Sequence, residues 1–410
     1  MTSDERGRSA PTLRRTLTLP LLVFYGVGVT VGAGIFALIG EILAIAGDQA
    51  PLAFFLAGLI AGATGLSYAL LVRVFPRAGG EAVFVNRGIG PAAAWLVGIG
   101  VVVTGIVSSA VIALAFAGYA GSIVPIPEPL LAVAIIVLLA AVAWWGVRES
   151  VIFAAAVTLL EVGTLAVIVV AGAPLLGDAG RIAAAFVPSG GLAAWAPILS
   201  GAIVAFFAFI GFEDIENMAE ETIDPVRTAP RAILLTLGIT VLIYVLLATV
   251  ATLAPDREAI TGSSAPLAVL FEALTGRDGA AITVIAAVAM VNGILVQIIM
   301  AARVLYGMSN EKLLPAFFGR LDPRRRTPAR ATALVAAAIL TLALSFPLLS
   351  LATVTSVVTL LVFAMVNLSL FRLASTSPAA GLQRWRWWGL AAALLCAGMV
   401  AWQISQSLTL

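Results

Sequence analysis

Histidine is absent from this 410-residue chain. Its absence removes Ser-His-Asp and Cys-His catalysis, histidine metal sites and histidine proton relays. The single cysteine, Cys396, excludes an internal disulfide and any cysteine metal cluster. Lys312 is the only lysine and stands outside any glycine-rich phosphate motif, which excludes a P-loop motor. Charge is also scarce, at 11% of residues, where a soluble protein carries about a quarter. In its place 61% of the chain is apolar, with a mean hydropathy of +1.11. The chain is therefore read as an all-α, polytopic membrane protein whose first partner is the lipid bilayer. Neither a nucleic-acid partner nor enzymatic activity is expected of it.

Apolar runs of about 20 residues mark the spans. They fall at 19–39, 51–72, 92–123, 130–147, 151–173, 195–217, 232–253, 280–308, 331–346, 349–373 and 388–404, about eleven in all. The first run is long and lacks a signal-peptidase-like cleavage site, so it is expected to remain as a span. Arginine placement gives the orientation. With residues 1–18 as a cytoplasmic tail, only Arg181, Arg257 and Arg277 of the 23 Lys and Arg residues fall outside. The cluster Arg320, Arg324, Arg325, Arg326 and Arg330 falls inside, as the positive-inside rule requires. The loops are short except 73–91 and 255–279, both long enough for short helices, with one expected over 266–274 behind Pro266.

Two spans are interrupted. The first reads YGVGVTVGAGIFALIG from Tyr25, with Gly26, Gly28, Gly32 and Gly34 in its middle. Glycines at this spacing also suit a helix-packing face. The sixth carries Gly201 and Gly211 and then turns acidic in FFAFIGFEDIENMAEE, residues 206–221. Acids in a membrane span are costly and mark function. The two spans lie five apart, an odd offset that gives the two halves opposite orientations. Glycine-interrupted segments at matching positions of inverted halves point to a transporter's binding site. An unwound helix offers N–H groups and a positive dipole end to a carboxylate, and free carbonyls to an ammonium or another cation.

Four blocks carry a family resemblance: GVGVTVGAGIF in the first span, SYALLVRVFPRAGGEAVFVNR at 67–87, FFAFIGFEDIENMAEETIDPVRTAPRAI at 206–233, and ARVLYGMSNEKLLPAFFGRLDPRRRTPARA at 302–331. Together they resemble the amino acid–polyamine–organocation permeases, although that family usually has twelve spans. The resemblance implies a leucine-transporter-like fold. It would comprise a tail at 1–18, a first five-helix repeat at 19–173, an inverted second repeat at 195–373 and an additional helix at 388–404. It implies a plasma-membrane secondary transporter for amino acids or related organic amines, working by alternating access. No cofactor is implied beyond a coupling ion, a proton or alternatively sodium, and exchange is the alternative to symport. A membrane enzyme would need clustered catalytic groups, and a channel would need repeated polar rings; the sequence has neither.

By the same resemblance, the substrate carboxylate meets the backbone N–H groups of Gly32, Ala33 and Gly34. Its amine meets the carbonyls of Thr30, Phe207 and Ile210, and Phe207 caps the pocket. Glu213 matches an acidic position retained by many proton-coupled members. Glu161 stands where some members place a lysine and others hold sodium, so it is a coupling group, a cation ligand or a partner for a basic substrate. From the residues alone, a carboxylate inside TLLEVGTLAVIVVAG costs ~2.5–3.5 kcal/mol on insertion scales, which argues against a passive role. Asp214 and Glu216 are expected to face the cytoplasmic vestibule, and Glu220 and Glu221 to pair with Arg227 and Arg231. Ser108, Ser109, Asn292 and Gln297 are expected to bond between helices, with Asn292 the one that lines the pocket.

Overall fold

The computed structural model describes residues 15–76, 80–146, 151–188, 190–376 and 381–409. Among these, the one strand-like feature is a parallel bridge between Leu17 and Thr222. All other regular structure is helical. The first helices are α1 (Leu19–Ala46), α2 (Ala50–Val74), α3 (Gly80–Gly88), α4 (Pro91–Gly121), α5 (Glu128–Trp145) and α6 (Val151–Ala171). They are followed by α7 (Ala179–Phe186), α8 (Trp195–Phe206), α9 (Pro225–Leu253), α10 (Arg257–Thr261) and α11 (Pro266–Thr275). The last are α12 (Ala280–Asn310), α13 (Ala329–Ser345), α14 (Leu348–Thr376) and α15 (Arg386–Thr409). Proline in the first turn begins α1, α2, α4, α9 and α11. Its fixed φ suits that position, and its missing N–H leaves nothing unpaired there.

Among the described residues, eight stretches are long and apolar enough to cross a membrane, the first being Leu19–Val74, which contains both α1 and α2. Ala155–Ala171, Pro266–Thr275 and Ala329–Ser345 are shorter apolar helices. The long loops contain the short helices expected of them, α3 in one and α10 and α11 in the other. One helix was not foreseen. The connection before α8 contains α7, begun by Asp178, whose Oδ1 accepts from the Arg181 N–H at 3.1 Å. The sixth apolar run is also not one rod. Its α-helix stops at Phe206, and the acidic half is a 3-10 segment, Phe212–Glu221.

Two sets of buried rings hold that interrupted segment. On one side Tyr68, Phe206, Phe212 and Phe363 meet edge to face, with centroids 5.4–5.8 Å apart. On the other, Phe209 and Phe54 pack on Tyr244 at 5.1 and 5.8 Å. Such pairs are worth about 0.5–1.5 kcal/mol each beyond their buried area. The irregular backbone is thus clamped by α2, α9 and α14 and kept away from lipid, the only setting in which a membrane tolerates it.

Candidate functional site

Both expected breaks are present. Within α1, Gly32 has φ 0 and ψ −149, away from the helical values on either side. A Cβ placed on Gly32 would meet nothing within 4 Å, so this stretch of backbone faces open space. After α8 comes a 3-10 turn, Phe207–Phe209, then Ile210 in an extended conformation and Gly211 at φ +123. Only glycine adopts that φ without strain. The two breaks lie against each other. A Cβ on Gly34 would sit 2.8 Å from Ala208 Cα, and one on Gly211 would sit 2.9 Å from the Val29 carbonyl oxygen.

The carbonyls expected to take an amine are partly engaged. Thr30 O accepts from the Tyr244 hydroxyl at 3.0 Å, and Phe207 O accepts from the Ile210 N–H at 3.2 Å. Each carbonyl has a second lone pair for another donor. Phe207 is buried, and its Cδ1 lies 3.5 Å from the Cβ position of Gly34, at the junction of the breaks. Phe206 and Phe209 belong to the flanking ring clusters instead.

Tyr244 was not singled out from the sequence. Its hydroxyl lies 2.9 Å from Ala208 O, 3.0 Å from Thr30 O and 3.3 Å from Val31 O. One hydroxyl hydrogen serves one carbonyl at a time, so Tyr244 fastens both broken helices to α9 through a shared donor. A tyrosine alone in a long apolar run was the available signal, because a buried hydroxyl requires a partner.

Glu161 is buried, with 2% exposure. Thr158, on the preceding turn of α6, fills the gap left by Gly28 of α1. Glu161 therefore stands beside α1, and it is close enough to Tyr244 for the two to interact electrostatically. Glu213 has a defined partner: its Oε2 accepts from the Gly211 N–H at 2.8 Å and caps the second break.

Below that break is a cavity of about 190 Å³, lined by Ile210, Gly211, Glu81, Glu213, Asp214, Asn217, Thr104, Thr359 and Gln297 among others. Glu81 reaches it from α3 and accepts from the Tyr68 hydroxyl at 3.2 Å. Burial raises the Glu81 carboxyl above its ordinary value, and its hydrogen bonds oppose part of that rise.

Several expectations are corrected here. Gln297 lines this cavity, and Asn292 is half-buried beside Gly293, whose Cβ position is 3.6 Å from Ala33 Cβ at the first break. Asp214 is on the cavity wall, but Glu216 is fully buried against α3. Ser108 and Ser109 bond the Gly105 carbonyl of their own helix at 3.3 and 2.7 Å, not another helix. Arg227 lies 3.8 Å from Asp224, a partner not anticipated.

A family profile described as amino acid permease matches residues 17–407. An uncharacterized transporter of Mycobacterium tuberculosis is 31% identical over 334 residues, covering 81% of this chain and 74% of that protein. The low-affinity putrescine importer PlaP of Escherichia coli is 30% identical over 365 residues, covering 87% of this chain and 80% of the importer. The vacuolar cationic amino acid transporter 2 of Arabidopsis thaliana is 28% identical over 390 residues, covering 89% of this chain and 61% of that transporter.

Proposed function

Because the chain belongs to the amino acid permease family, we propose that it carries an amino acid or related organic amine across the membrane as a secondary active transporter. The observation that carries this reading is the pair of facing breaks, with Gly32 open on one side and Ile210 and Gly211 on the other. Backbone N–H groups of Gly32, Ala33 and Gly34 receive a carboxylate at the start of the resumed helix, and the second lone pairs of the Thr30 and Phe207 carbonyls, with that of Ile210, receive the amine. Alternating access follows from moving the broken helices against the rest of the bundle. Relatives named for putrescine and for cationic amino acids support an amine substrate. The arginine distribution supports an orientation with the N-terminus in the cytoplasm, and the membrane is proposed to be the plasma membrane.

Coupling is assigned to a proton carried by Glu161 or Glu213. Glu161 is buried beside α1, with Tyr244 of α9 the titratable group near it. Glu213 faces Asp214, Glu216 and Glu81. Uptake of labelled amino acids and amines into proteoliposomes tests the reading. Saturable uptake is expected, and Gly34→Leu should abolish it by driving a side chain into Ala208. An acid-outside gradient should stimulate the wild-type protein, and Glu161→Gln or Glu213→Gln should lose that stimulation because an amide carries no exchangeable charge. Unchanged stimulation in both variants refutes proton coupling through these residues. Unsaturable ion flux refutes the carrier.

A further inference from the structure

The connection from α12 to α13 concentrates positive charge. Residues 311–330 hold six Lys or Arg against two acids, a net charge of +4. The connection that follows α5 adds Arg148 and Glu149, which cancel. Like charges repel, yet hydrogen bonds gather three of these arginines on a single turn. Asp322 Oδ1 accepts from the N–H groups of Arg324 and Arg325, each at 2.9 Å. The Asp322 carbonyl accepts from the Arg326 N–H at 2.9 Å, and the Asp322 N–H donates to the Thr327 carbonyl at 2.8 Å. Arg326 completes the turn at φ +58. The Arg325 and Arg324 N–H groups, and then the charge of Arg325, hold the Asp322 carboxyl below its ordinary value. The one acid between 320 and 330 therefore stays ionised and organises the turn.

That turn is docked on the end of α5. Thr327 Oγ1 donates to the Trp144 carbonyl at 2.8 Å. The Arg325 guanidinium lies over the Trp145 and Trp144 rings, 3.6 and 4.8 Å from their centroids, a cation–π contact that fixes it. Arg324 and Arg326, on either side, are exposed.

What α5 presents beside this turn decides the partner. The helix is long and apolar enough to cross a membrane, and Leu130, Val137, Leu138, Trp144 and Trp145 are exposed along it. They recur every seven residues, about 700° of rotation and within about 20° of two full turns, so they form one stripe. An apolar stripe on a span faces acyl chains, and tryptophans at its end mark the headgroup level. Exposed arginines at that level are complementary to a headgroup with net negative charge. A zwitterionic lipid offers the same chains but brings an ammonium against the arginines.

We propose that the α12–α13 turn and the end of α5 form a site for an anionic phospholipid, its chain along Val137, Leu138 and Trp144 and its phosphate on Arg324 and Arg326. Guanidinium suits phosphate because its fork of donors bonds two oxygens at once. Arg325 is a positioning residue that anchors the turn to α5. The site is remote from the breaks in sequence, and the inference does not depend on what is transported.

The test titrates the full-length protein in detergent with chain-brominated phosphatidylglycerol or phosphatidylcholine and follows tryptophan fluorescence, which bromine quenches at contact. Each arginine near an anionic surface is worth about fivefold in binding. Half-maximal quenching is therefore expected at an about tenfold lower concentration of phosphatidylglycerol than of phosphatidylcholine. Arg324→Gln together with Arg326→Gln should abolish that preference and leave quenching by phosphatidylcholine unchanged. Trp144→Phe together with Trp145→Phe keeps ring faces for Arg325 and should remove the part of the quenching specific to phosphatidylglycerol; it serves if the arginine variant fails to accumulate. Equal quenching by the two lipids in the wild-type protein, or a preference unchanged by either pair of substitutions, overturns the inference. So does relief of the quenching by inorganic phosphate beyond that by sodium chloride of equal ionic strength, which would make the ligand a free anion.

Discussion

The two interrupted helices are broken in different ways. In α1 the break is confined to Gly32, and the helix resumes through the buried residues Ala33–Ile39. The second break rebuilds the chain from Phe207 to Glu221: a 3-10 turn, an extended Ile210, Gly211 at φ +123 and ten residues of 3-10 helix. The sequence after each glycine explains the difference. AGIFALIG is apolar and returns to α-helix, whereas FEDIENMAEE supplies carboxylates that bond backbone and gather around a cavity. The first break thus presents bare backbone to open space, and the second presents side chains. In the proposed function, backbone is the part that reads the head group all amino acids share, and side chains are left to discriminate among the rest.

Gly211→Ala should break the comparison most severely. A Cβ there meets both an unfavourable φ and the Val29 carbonyl at 2.9 Å. Strain of this kind and overpacking each cost about 1–3 kcal/mol, so a loss of roughly 2–6 kcal/mol is expected. Thermal unfolding of the purified protein would show it, and a wild-type melting temperature would mean that the second break is not locked. Tyr244→Phe comes next. It keeps the ring contacts with Phe54 and Phe209 and removes only the donor shared by Thr30, Val31 and Ala208. Losing that hydrogen bond should cost about 1–3 kcal/mol and slow transport, because the two breaks are no longer tied to α9. A variant with unaltered stability and turnover would show that the hydroxyl does not hold them.

The breaks were legible in the sequence because glycine and acid stand out in an apolar run, and the membrane class because charge is so scarce. What escaped was set by packing between distant segments. Tyr244 lies 214 residues from Thr30, and its partners are carbonyls, which carry no residue identity for a pattern to reveal. Asn292 and Gln297 lie on one helix, five residues and so about 140° apart at 100° per residue. Which of them faced the cavity depended on how α12 rotates against α4. Glu216 looked like Asp214 two residues earlier, yet it is covered because α3 folds beneath the 3-10 segment, a contact that the loop sequence does not encode. The approach of Glu81 to Glu213 has the same origin.

The smallest expected effect is also the sharpest test of the division between backbone and side-chain recognition. Gly32→Ala adds a Cβ where no atom lies within 4 Å. Lysine and cadaverine are both measured on the same variant, so any change in its stability affects the two alike. The added methyl projects into the space through which a carboxylate would approach the N–H groups of Gly32, Ala33 and Gly34. Lysine needs those groups, and cadaverine, which has no carboxylate, does not. The substitution should therefore raise KM for lysine by about three- to tenfold, at most the 1.4 kcal/mol that a factor of ten represents, and leave KM for cadaverine nearly unchanged. Equal weakening of both would mean that Gly32 shapes the path and does not bind the carboxylate. The first break would then be a hinge, and recognition would belong to the second break alone.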